Sequence, residues 1–355
     1  MAEVVSTLGT RKMLVVTDAG LVAHGIVARI VDVLGSADVE AIVFDAVEPN
    51  PSLETVAEAH ARYRETACSG IVALGGGSPL DVAKAVGVLA SHPGTLSSYV
   101  GIGKVKNHLP PLLAIPTTVG TGSEVTTFAV ITDREQRKKV VVGSPLIAPS
   151  HAFLDPELVL SLPAKLVAAT GIDALTHAVE SVISVFASPF TDGLALEAIR
   201  MVAANLPAAV SSARMEPRAN LLYASSIAGM AFSYARTGLV HGMAHPLSSY
   251  CDVPHGLANA VLLPHVLAFN APACHDQLAR VALAMGEAAT AQAAIDAVRR
   301  LNAEVGIPTG LSLVGVTNAF IPQMAQDAYQ SANAQIVNPR KPSLLEVTEL
   351  YQQVL

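Results

Sequence analysis

The first part of the chain alternates between short apolar runs and longer amphipathic segments. Residues 13–18 (MLVVTD) predict a buried strand, and residues 21–34 predict a helix with apolar positions at helical spacing. The alternation continues with predicted strands at 39–45, 70–76 and 111–118 and predicted helices at 52–65 and 79–90. Short apolar strands separated by amphipathic helices indicate a mostly parallel sheet with helices on both faces.

The pattern changes twice further along the chain. Segments 128–133 and 138–143 flank a charged tip with the sequence REQR, which predicts a β-hairpin. After about residue 157 the strand signals stop. Ala- and Leu-rich stretches with helical periodicity follow at 163–186, 189–204, 217–232, 236–250, 256–269, 276–286, 290–304 and 343–353. We therefore predict an α/β domain over residues 1–157 and an all-α domain over residues 158–355.

Composition and charge exclude several classes of protein. The chain has 355 residues, 51% of them hydrophobic, and its net charge of −7 comes without a Lys- or Arg-rich run, which argues against nucleic-acid binding. The three cysteines show no paired spacing and predict free thiols in a reducing compartment. Neither a signal-peptide layout nor an uninterrupted apolar run of membrane-spanning length is found. We therefore expect a cytoplasmic protein without a membrane partner.

One carboxylate and several histidines are concentrated in the second half of the chain. Asp173 and His177 in GIDALTHAVE are four residues apart, which places both side chains on one face of a helix. His241 and His255 lie in HGMAHPLSSYCDVPHG, with His245 between them. One carboxylate and three imidazoles suit a divalent transition metal such as Fe, Zn, Co or Ni. The alternative is a separate capping or packing role for each residue, which is what we expect of the remaining histidines.

A glycine-rich loop follows the third predicted strand. In LGGGSPLDVAKA, Gly76 and Gly77 let a diphosphate approach the backbone, and the start of the next helix favours negative charge there. Ser78 is predicted to cap this helix, with Pro79 at its first position and Asp81 completing a capping box. Because the loop is neither a GxGxxG fingerprint nor a Walker loop, a tight turn without a ligand is the alternative.

Two further features bear on a nucleotide. The loop IPTTVGTGSE offers Thr117, Thr118 and Thr121 as hydroxyl donors, although a merely polar loop explains it equally well. Asp45 ends the second predicted strand, where a carboxylate can bind a ribose 2′-hydroxyl and repel a 2′-phosphate. That position favours NAD over NADP, and the alternative is an aspartate that caps a turn.

Five segments together resemble the iron-containing (group III) alcohol dehydrogenase family, in particular its lactaldehyde reductase and 1,3-propanediol dehydrogenase type. They are FDAVEPNPSLETV, GGGSPLDVAKA, IPTTVGTGSEVTTFAVITD, ATGIDALTHAVES and HGMAHPLSSYCDVPHGLANAVLLPHV. The resemblance covers essentially the whole chain, and the last two segments are its most specific part. It implies a two-domain fold like that of dehydroquinate synthase, with the dinucleotide held by the α/β domain.

The resemblance also implies roles for individual residues. The implied metal ligands, for Fe(II) or alternatively Zn(II), are Asp173, His177, His241 and His255. The implied cofactor contacts are Gly76, Gly77, Ser78, Asp81, Thr117, Thr118, Thr121 and Lys139. His245 matches a position near the substrate and the nicotinamide, and Asp45 matches the position linked to NAD preference. Phe232 matches a substrate-pocket aromatic, while Phe128 falls where relatives vary.

The function expected from these features is hydride transfer between NAD(H) and a small primary alcohol or diol, in a homodimer or larger homo-oligomer. A glycerol-dehydrogenase-like or dehydroquinate-synthase-like enzyme of the same fold is one alternative, although the metal-site segments carry few of the basic residues that a sugar phosphate needs. A non-catalytic metal- or nucleotide-binding relative is another. Relatives usually begin with one more strand than is found here, so we expect a difference at the edge of the nucleotide-binding domain.

Overall fold

The computed structural model describes residues 1–355, which form two compact units. The first unit consists of residues 1–118 and 123–158, and the second consists of residues 119–122 and 159–355. The short segment Val119–Gly122 therefore belongs to the second unit, although the chain on both sides of it belongs to the first.

The first unit contains two sheets. Their strands are β1 (Lys12–Val16), β2 (Glu40–Phe44), β3 (Gly70–Gly75), β4 (Gly101–Ile102), β5 (Leu112–Pro116), β6 (Phe128–Asp133), β7 (Lys138–Gly143) and β8 (His151–Ala152). The larger sheet is parallel, with the order β2-β1-β3-β5-β8. The smaller has the order β4-β7-β6, and β6 and β7 form the predicted antiparallel hairpin, with Phe128 opposite Gly143.

Helices supply the rest of both units. Those of the first unit are α1 (Ala2–Thr7), α2 (Ala19–Ala23), α3 (Ile26–Gly35), α4 (Leu53–Glu65) and α5 (Gly77–Ser91). Those of the second unit are α6 (Ala164–Ile183), α7 (Pro189–Ser211), α8 (Met215–Ala235), α9 (Leu239–Cys251), α10 (His255–Asn270), α11 (His275–Ala284), α12 (Ala291–Glu304), α13 (Ile321–Gln330) and α14 (Leu344–Gln353). The predicted fold class, an α/β part followed by a helical part, is confirmed.

The parallel sheet has an apolar core on each face because its strands carry apolar residues at successive positions. Along β1, Leu14 and Val16 enter one core, together with residues of α4 and α5. Met13 and Val15 enter the core on the other face, together with residues of α1 and α3. Side chains alternate between the faces of a strand, so a continuous apolar run is what a sheet covered on both sides requires.

Two details of the predicted helices were wrong. The single helix predicted over 21–34 is divided into α2 and α3, because Gly25 has φ +73° and turns the chain between them. The helix after the glycine loop begins at Gly77 and its N-cap is Gly76, so Ser78 and Asp81 do not form a capping box. The two oxygens of Asp81 instead accept hydrogen bonds from Ser123 Oγ at 2.6 Å and from the Val130 N–H at 2.9 Å.

A buried arginine ties together three segments of the second unit. Arg218, in the first turns of α8, is 3% exposed and has no carboxylate partner. Its Nη1 donates towards the carbonyl oxygens of Val159, Leu160 and Leu162 at 2.6–2.9 Å, and its Nε donates to the Ala209 carbonyl at 3.3 Å. The guanidinium therefore satisfies backbone acceptors that lie outside regular hydrogen-bond ladders.

Three helices are long and apolar enough to cross a membrane by length and composition, contrary to the expectation from uninterrupted apolar runs. They are Ala164–Ile183, Pro189–Ser211 and His255–Ala273. In the first of them, α6, 89% of the most apolar window is buried inside the protein. The apolar character of α6 is accounted for by this burial, since α6 packs against α7, α8 and α10.

Candidate active site

Three potential ligands converge inside the helical unit. Asp173 and His177 lie one turn apart on α6, and His241 lies in the first turn of α9. One ligand atom from each of the three lies within 4.8 Å of the others, and all three side chains are buried. The i, i+4 spacing seen in the sequence therefore does bring two donors together, and α9 adds the third.

His255, the fourth residue of the predicted set, lies at the margin of this cluster. It is the first residue of α10, and its Nε2 is 3.9 Å from Asp173 Oδ1, while its side chain is 33% exposed. Gly256 lets α10 come this close, because a Cβ there would lie 2.7 Å from the Ala169 carbonyl oxygen of α6. The cluster thus has a buried side formed by three residues and a more open side at His255.

Hydrogen bonds orient two of the imidazoles. His177 donates from Nδ1 to the Gly120 carbonyl at 3.2 Å, and His241 Nδ1 is hydrogen-bonded to Glu180 Oε2 at 2.6 Å. With the proton on Nδ1, the lone pair is on Nε2, and Nε2 of His241 lies 3.8 Å from Asp173 Oδ1. Both rings therefore present an unprotonated nitrogen to the same small space.

The acceptor for His177 comes from the short segment Val119–Gly122. Gly120 is pressed against α6, since a Cβ there would lie 2.6 Å from the Thr170 carbonyl oxygen. Gly122 has φ +60°, and a Cβ there would lie 2.7 Å from the backbone of Gly229 on α8. Glycine is needed at both positions for the segment to approach the helices so closely.

Two buried residues of the cluster were missed by the sequence analysis. Glu180 is fully buried and lies seven residues after Asp173, on the same face of α6. Asn259 is also fully buried, and its Nδ2 lies 2.7 Å from Asp173 Oδ1, 3.1 Å from His255 Nε2 and 3.2 Å from His241 Nε2. The usable signal for Glu180 was a second carboxylate on the ligand-bearing face of a mostly apolar helix.

Burial moves the charge states of this cluster towards neutral forms. It raises the pKa of Asp173, against the influence of His177 and Asn259, and it lowers the pKa of His177. It lowers the pKa of His241 well below the ordinary value, and the neighbouring imidazoles act in the same direction. It raises the pKa of Glu180 to about 8, against hydrogen bonds from the start of α9. These shifts favour the neutral form of His177 and His241, which is the form that metal binding requires.

The residues present fit a divalent metal ion. The set offers one carboxylate and imidazole nitrogens, the donors that Fe(II) and Zn(II) accept in open catalytic sites. The desolvated carboxylate of Asp173 would be compensated by a nearby cation. In addition, the buried Oδ1 of Asn259 has no hydrogen-bond partner, which leaves one polar atom of the cluster unsatisfied in the protein alone.

His245 and Phe232 lie beside the cluster. The ring of Phe232 stacks on that of His177, with centroids 4.2 Å apart and planes at 15°. The ring of His245, one turn beyond His241 on α9, stacks on that of His255 at 5.4 Å. Both side chains are half-buried, but His245 lies at the open side of the site beside His255, whereas Phe232 packs against buried His177.

A second site-like region lies at the carboxyl edge of the parallel sheet. Val16 pairs with Phe44 and Gly75 pairs with Pro116, so the residues that follow these strands meet at one edge. The residues that follow β2, β3 and β5 include Asp45, Gly76, Gly77, Ser78, Thr117 and Thr118. The chain leaves β1 towards β2 on one side and leaves β3 towards β5 on the other, so the topological switch point, where dinucleotides bind in open α/β sheets, lies between β1 and β3.

Local geometry at this edge fits a diphosphate. A Cβ on Gly76 would lie 3.0 Å from the Thr118 side chain, so a larger residue would crowd that side chain. Thr118 Oγ1 is buried and has no hydrogen-bond partner. A buried hydroxyl beside a glycine loop at a helix N-terminus matches the donors that a bound phosphate group would use.

The remaining predicted residues are placed as follows. Lys139, on β7, donates to Asn50 Oδ1 at 2.8 Å and to Thr132 Oγ1 at 2.9 Å, and burial lowers its pKa to about 8. Phe128, on β6, belongs to the first unit, where its carbonyl accepts a hydrogen bond from buried Lys84. Thr121 lies in the segment Val119–Gly122 and is thus part of the second unit.

Comparisons with known proteins agree with this chemistry. Residues 1–156 match the family model described as iron-containing alcohol dehydrogenase, and residues 167–355 match the one described as Fe-containing alcohol dehydrogenase family, C-terminal. The chain is 45% identical over 356 residues to 1,3-propanediol dehydrogenase of Citrobacter freundii, covering 98% of this chain and 92% of that protein. It is 39% identical over 360 residues to lactaldehyde reductase of Escherichia coli (strain K12), covering 99% and 94%.

The chain is also similar to a relative whose name includes its cofactor, and to a solved structure. The chain is 36% identical over 356 residues to NAD-dependent methanol dehydrogenase of Bacillus methanolicus, covering 98% of this chain and 93% of that protein. The crystal structure of a 1,3-propanediol oxidoreductase superposes with a TM-score of 0.97 at 44% identity, covering all of this chain and 95% of that one. Family models thus match both parts of the sequence, and the chain belongs to the iron-containing alcohol dehydrogenase family.

Proposed function

We propose that this protein transfers a hydride between NAD(H) and a small primary alcohol or diol, using Fe(II), or alternatively Zn(II), held by Asp173, His177, His241 and His255. The observation that carries the proposal is the convergence of three buried donors from α6 and α9 within 4.8 Å. A bound divalent metal supplies a Lewis acid that lowers the pKa of an alcohol hydroxyl. The named relatives act on propanediol, lactaldehyde and methanol, which supports a small substrate.

The residues of the first unit have a separate task in this proposal. The glycine loop and the N-terminus of α5 hold the diphosphate of NAD, with Thr117 and Thr118 as hydroxyl donors and Lys139 as a further contact. Asp81 supports the cofactor site without contacting NAD, because its two oxygens already accept hydrogen bonds from Ser123 and Val130. The proposed NAD-binding domain is residues 1–157, and the proposed metal- and substrate-binding domain is residues 158–355. We propose that the protein is a cytoplasmic homodimer or larger homo-oligomer.

The direct test is formation of NADH from a panel of short alcohols and diols. The protein is stripped of metal and reloaded anaerobically with Fe(II) or Zn(II). We expect activity to return with one of these metals. The dependence of that activity on the length of the alcohol should identify the preferred substrate. Tight metal binding without activity on any member of the panel would contradict the proposal.

Asp45 is proposed to select NAD against NADP. Its carboxylate is exposed directly after β2, at the sheet edge where the ribose of a dinucleotide lies in related α/β folds. Replacing Asp45 by serine removes the repulsion of a 2′-phosphate, so we expect kcat/KM for NADP to rise about tenfold relative to NAD. Steady-state kinetics with both cofactors check this. Glu40→Gln, at the opposite end of the same strand, is the control and should leave the ratio unchanged.

His245 is proposed to relay the alcohol proton or to position the substrate. It borders the ligand cluster without belonging to its buried group of three. His245→Ala should therefore lower kcat by about 10²-fold, the usual contribution of a general acid–base group, while metal content stays near that of the wild type. Metal analysis and kinetics on the same preparation check both parts. Loss of metal would make His245 a ligand instead, and exposed His275→Ala serves as the control.

A further inference from the structure

The carboxylate of Glu180 joins the two helices that carry the proposed ligands. Asp173, His177 and Glu180 follow each other at spacings of four and three residues on α6, so all three lie on one face. Glu180 has no exposed surface. A buried glutamate on an apolar helix is costly unless every oxygen is satisfied, so its partners indicate what it does.

Both oxygens of Glu180 bind the beginning of α9. Oε1 accepts the Val240 N–H at 2.7 Å, and Oε2 is hydrogen-bonded to His241 Nδ1 at 2.6 Å. The first bond satisfies an N–H group that has no partner within its own helix. The second fixes which nitrogen of the imidazole carries the proton. The Glu180 side chain therefore caps the N-terminus of α9 and orients the ring of His241.

The helix start does not depend on Glu180 alone. Asn338 Oδ1 accepts the Leu239 N–H at 3.2 Å and lies in a reciprocal amide pair with Asn270. The N-terminus of α9 thus has a second acceptor from another part of the chain. By contrast, Glu180 is the hydrogen-bond partner of His241 Nδ1, so its replacement should affect the ring more than the helix.

We propose that Glu180 is a positioning residue for the metal site, holding His241 in the tautomer whose Nε2 lone pair faces Asp173. The inference rests on the proposed function, since it takes His241 to be a ligand. A carboxylate behind a ligating imidazole fixes the ring orientation and makes the imidazole a stronger base. Glu180 also ties α9 to the helix that carries the other two donors, so the three ligands are held at their spacing before any metal arrives.

Glu180→Gln in the full-length protein is the first test. A glutamine has one acceptor atom, so its NH₂ group must face either the Val240 N–H or the His241 Nδ1–H. We expect the affinity for Zn(II), measured by competition with a chelator, to fall about 10- to 100-fold. The control is the exposed Glu197 on α7, since Glu197→Gln should bind Zn(II) like the wild type. Equal Zn(II) affinity of a folded Glu180→Gln variant would overturn the inference.

A second measurement needs no Glu180 variant. In the metal-free, full-length wild type labelled with ¹⁵N-histidine, long-range ¹H–¹⁵N spectra report which ring nitrogen of His241 is protonated, with the signals assigned by comparison with His241→Asn. We expect protonated Nδ1 and unprotonated Nε2. A proton on Nε2 would overturn the inference even if Glu180→Gln failed to fold.

The same experiments separate this inference from the proposed function. A wild type that binds neither Zn(II) nor Fe(II) would overturn the metal assignment and the role of Glu180 with it. A wild type that binds metal while Glu180→Gln binds it equally well would overturn only the role of Glu180.

Discussion

Asp173→Asn should remove the bound metal and lower kcat/KM by about 10³-fold, the rate equivalent of about 4 kcal/mol of lost Lewis-acid stabilisation. Asp173 is the anionic member of the buried group of three, whose other members are neutral imidazoles. An asparagine keeps the shape and can still accept the hydrogen bond from Asn259, but it carries no charge to hold a divalent cation. The fold should therefore survive while the metal is lost.

Metal analysis, kinetics and thermal unfolding of the same preparation check this expectation. Asp296→Asn, which loses an exposed i, i+3 ion pair with Arg299 on α12, should behave like the wild type in all three. An Asp173→Asn protein that keeps a full complement of metal would show that Asp173 is not a ligand. Loss of activity with metal retained would instead assign Asp173 to the substrate.

Arg218→Met should destabilise the helical unit by about 3 kcal/mol or more. The methionine fills similar space but leaves the carbonyl groups of Val159, Leu160, Leu162 and Ala209 without the donor that they share. Removing one partner of a buried polar contact costs more than the contact contributes, because the remaining groups stay desolvated. Substitutions with effects of this size usually have such a cause.

The midpoint of urea unfolding measures the change. Arg214→Met is the matched control, since Arg214 immediately precedes α8 and its side chain is 68% exposed. Its loose contact with Glu216, at 3.9 Å, should contribute little, so the midpoint should stay near that of the wild type. Equal midpoints for the two variants would show that the backbone carbonyls around Arg218 find other donors.

Local patterns were sufficient for much of the fold. The hairpin was predicted at 128–133 and 138–143, which are the bounds of β6 and β7, because the charged tip REQR interrupts two apolar strands. The helix predicted at 52–65 agrees with α4, whose N-cap Ser52 accepts the Thr55 N–H. In both cases the decisive signal is a polar group at the end of an apolar element, and such signals depend only on neighbouring residues.

The backbone conformation at glycine residues was harder to predict from the sequence. Ser78 was the natural choice for an N-cap, yet the helix starts earlier because Gly75 adopts φ +148° and Gly76 is extended. Similarly, Gly25 divides a helical pattern that looked continuous. Glycine permits several conformations at similar energy, so which one occurs depends on packing that the local sequence does not contain. Helix α13 was missed altogether, although it buries Ile321 and Met324.

The candidate site was likewise only partly predictable from the sequence. Asp173, His177 and the histidines of α9 and α10 were recognisable because ligand residues were concentrated at helical spacing. Glu180 and Asn259 were not, since a single carboxylate or amide gains its meaning from partners on other helices. Glu180 is joined to His241 across 61 positions, and Asn259 to Asp173 across 86. Only the tertiary structure brings such pairs together.

The position of Val119–Gly122 limits where the chain can be divided into functional fragments. This segment is encoded between two stretches of the first unit, yet its Gly120 carbonyl orients His177 in the second. A fragment that begins at residue 159 would lack that acceptor, so we expect it to hold metal more weakly than the full chain even if it folds. Chimeras that exchange the units between relatives would likewise need to transfer these four residues with the helical part.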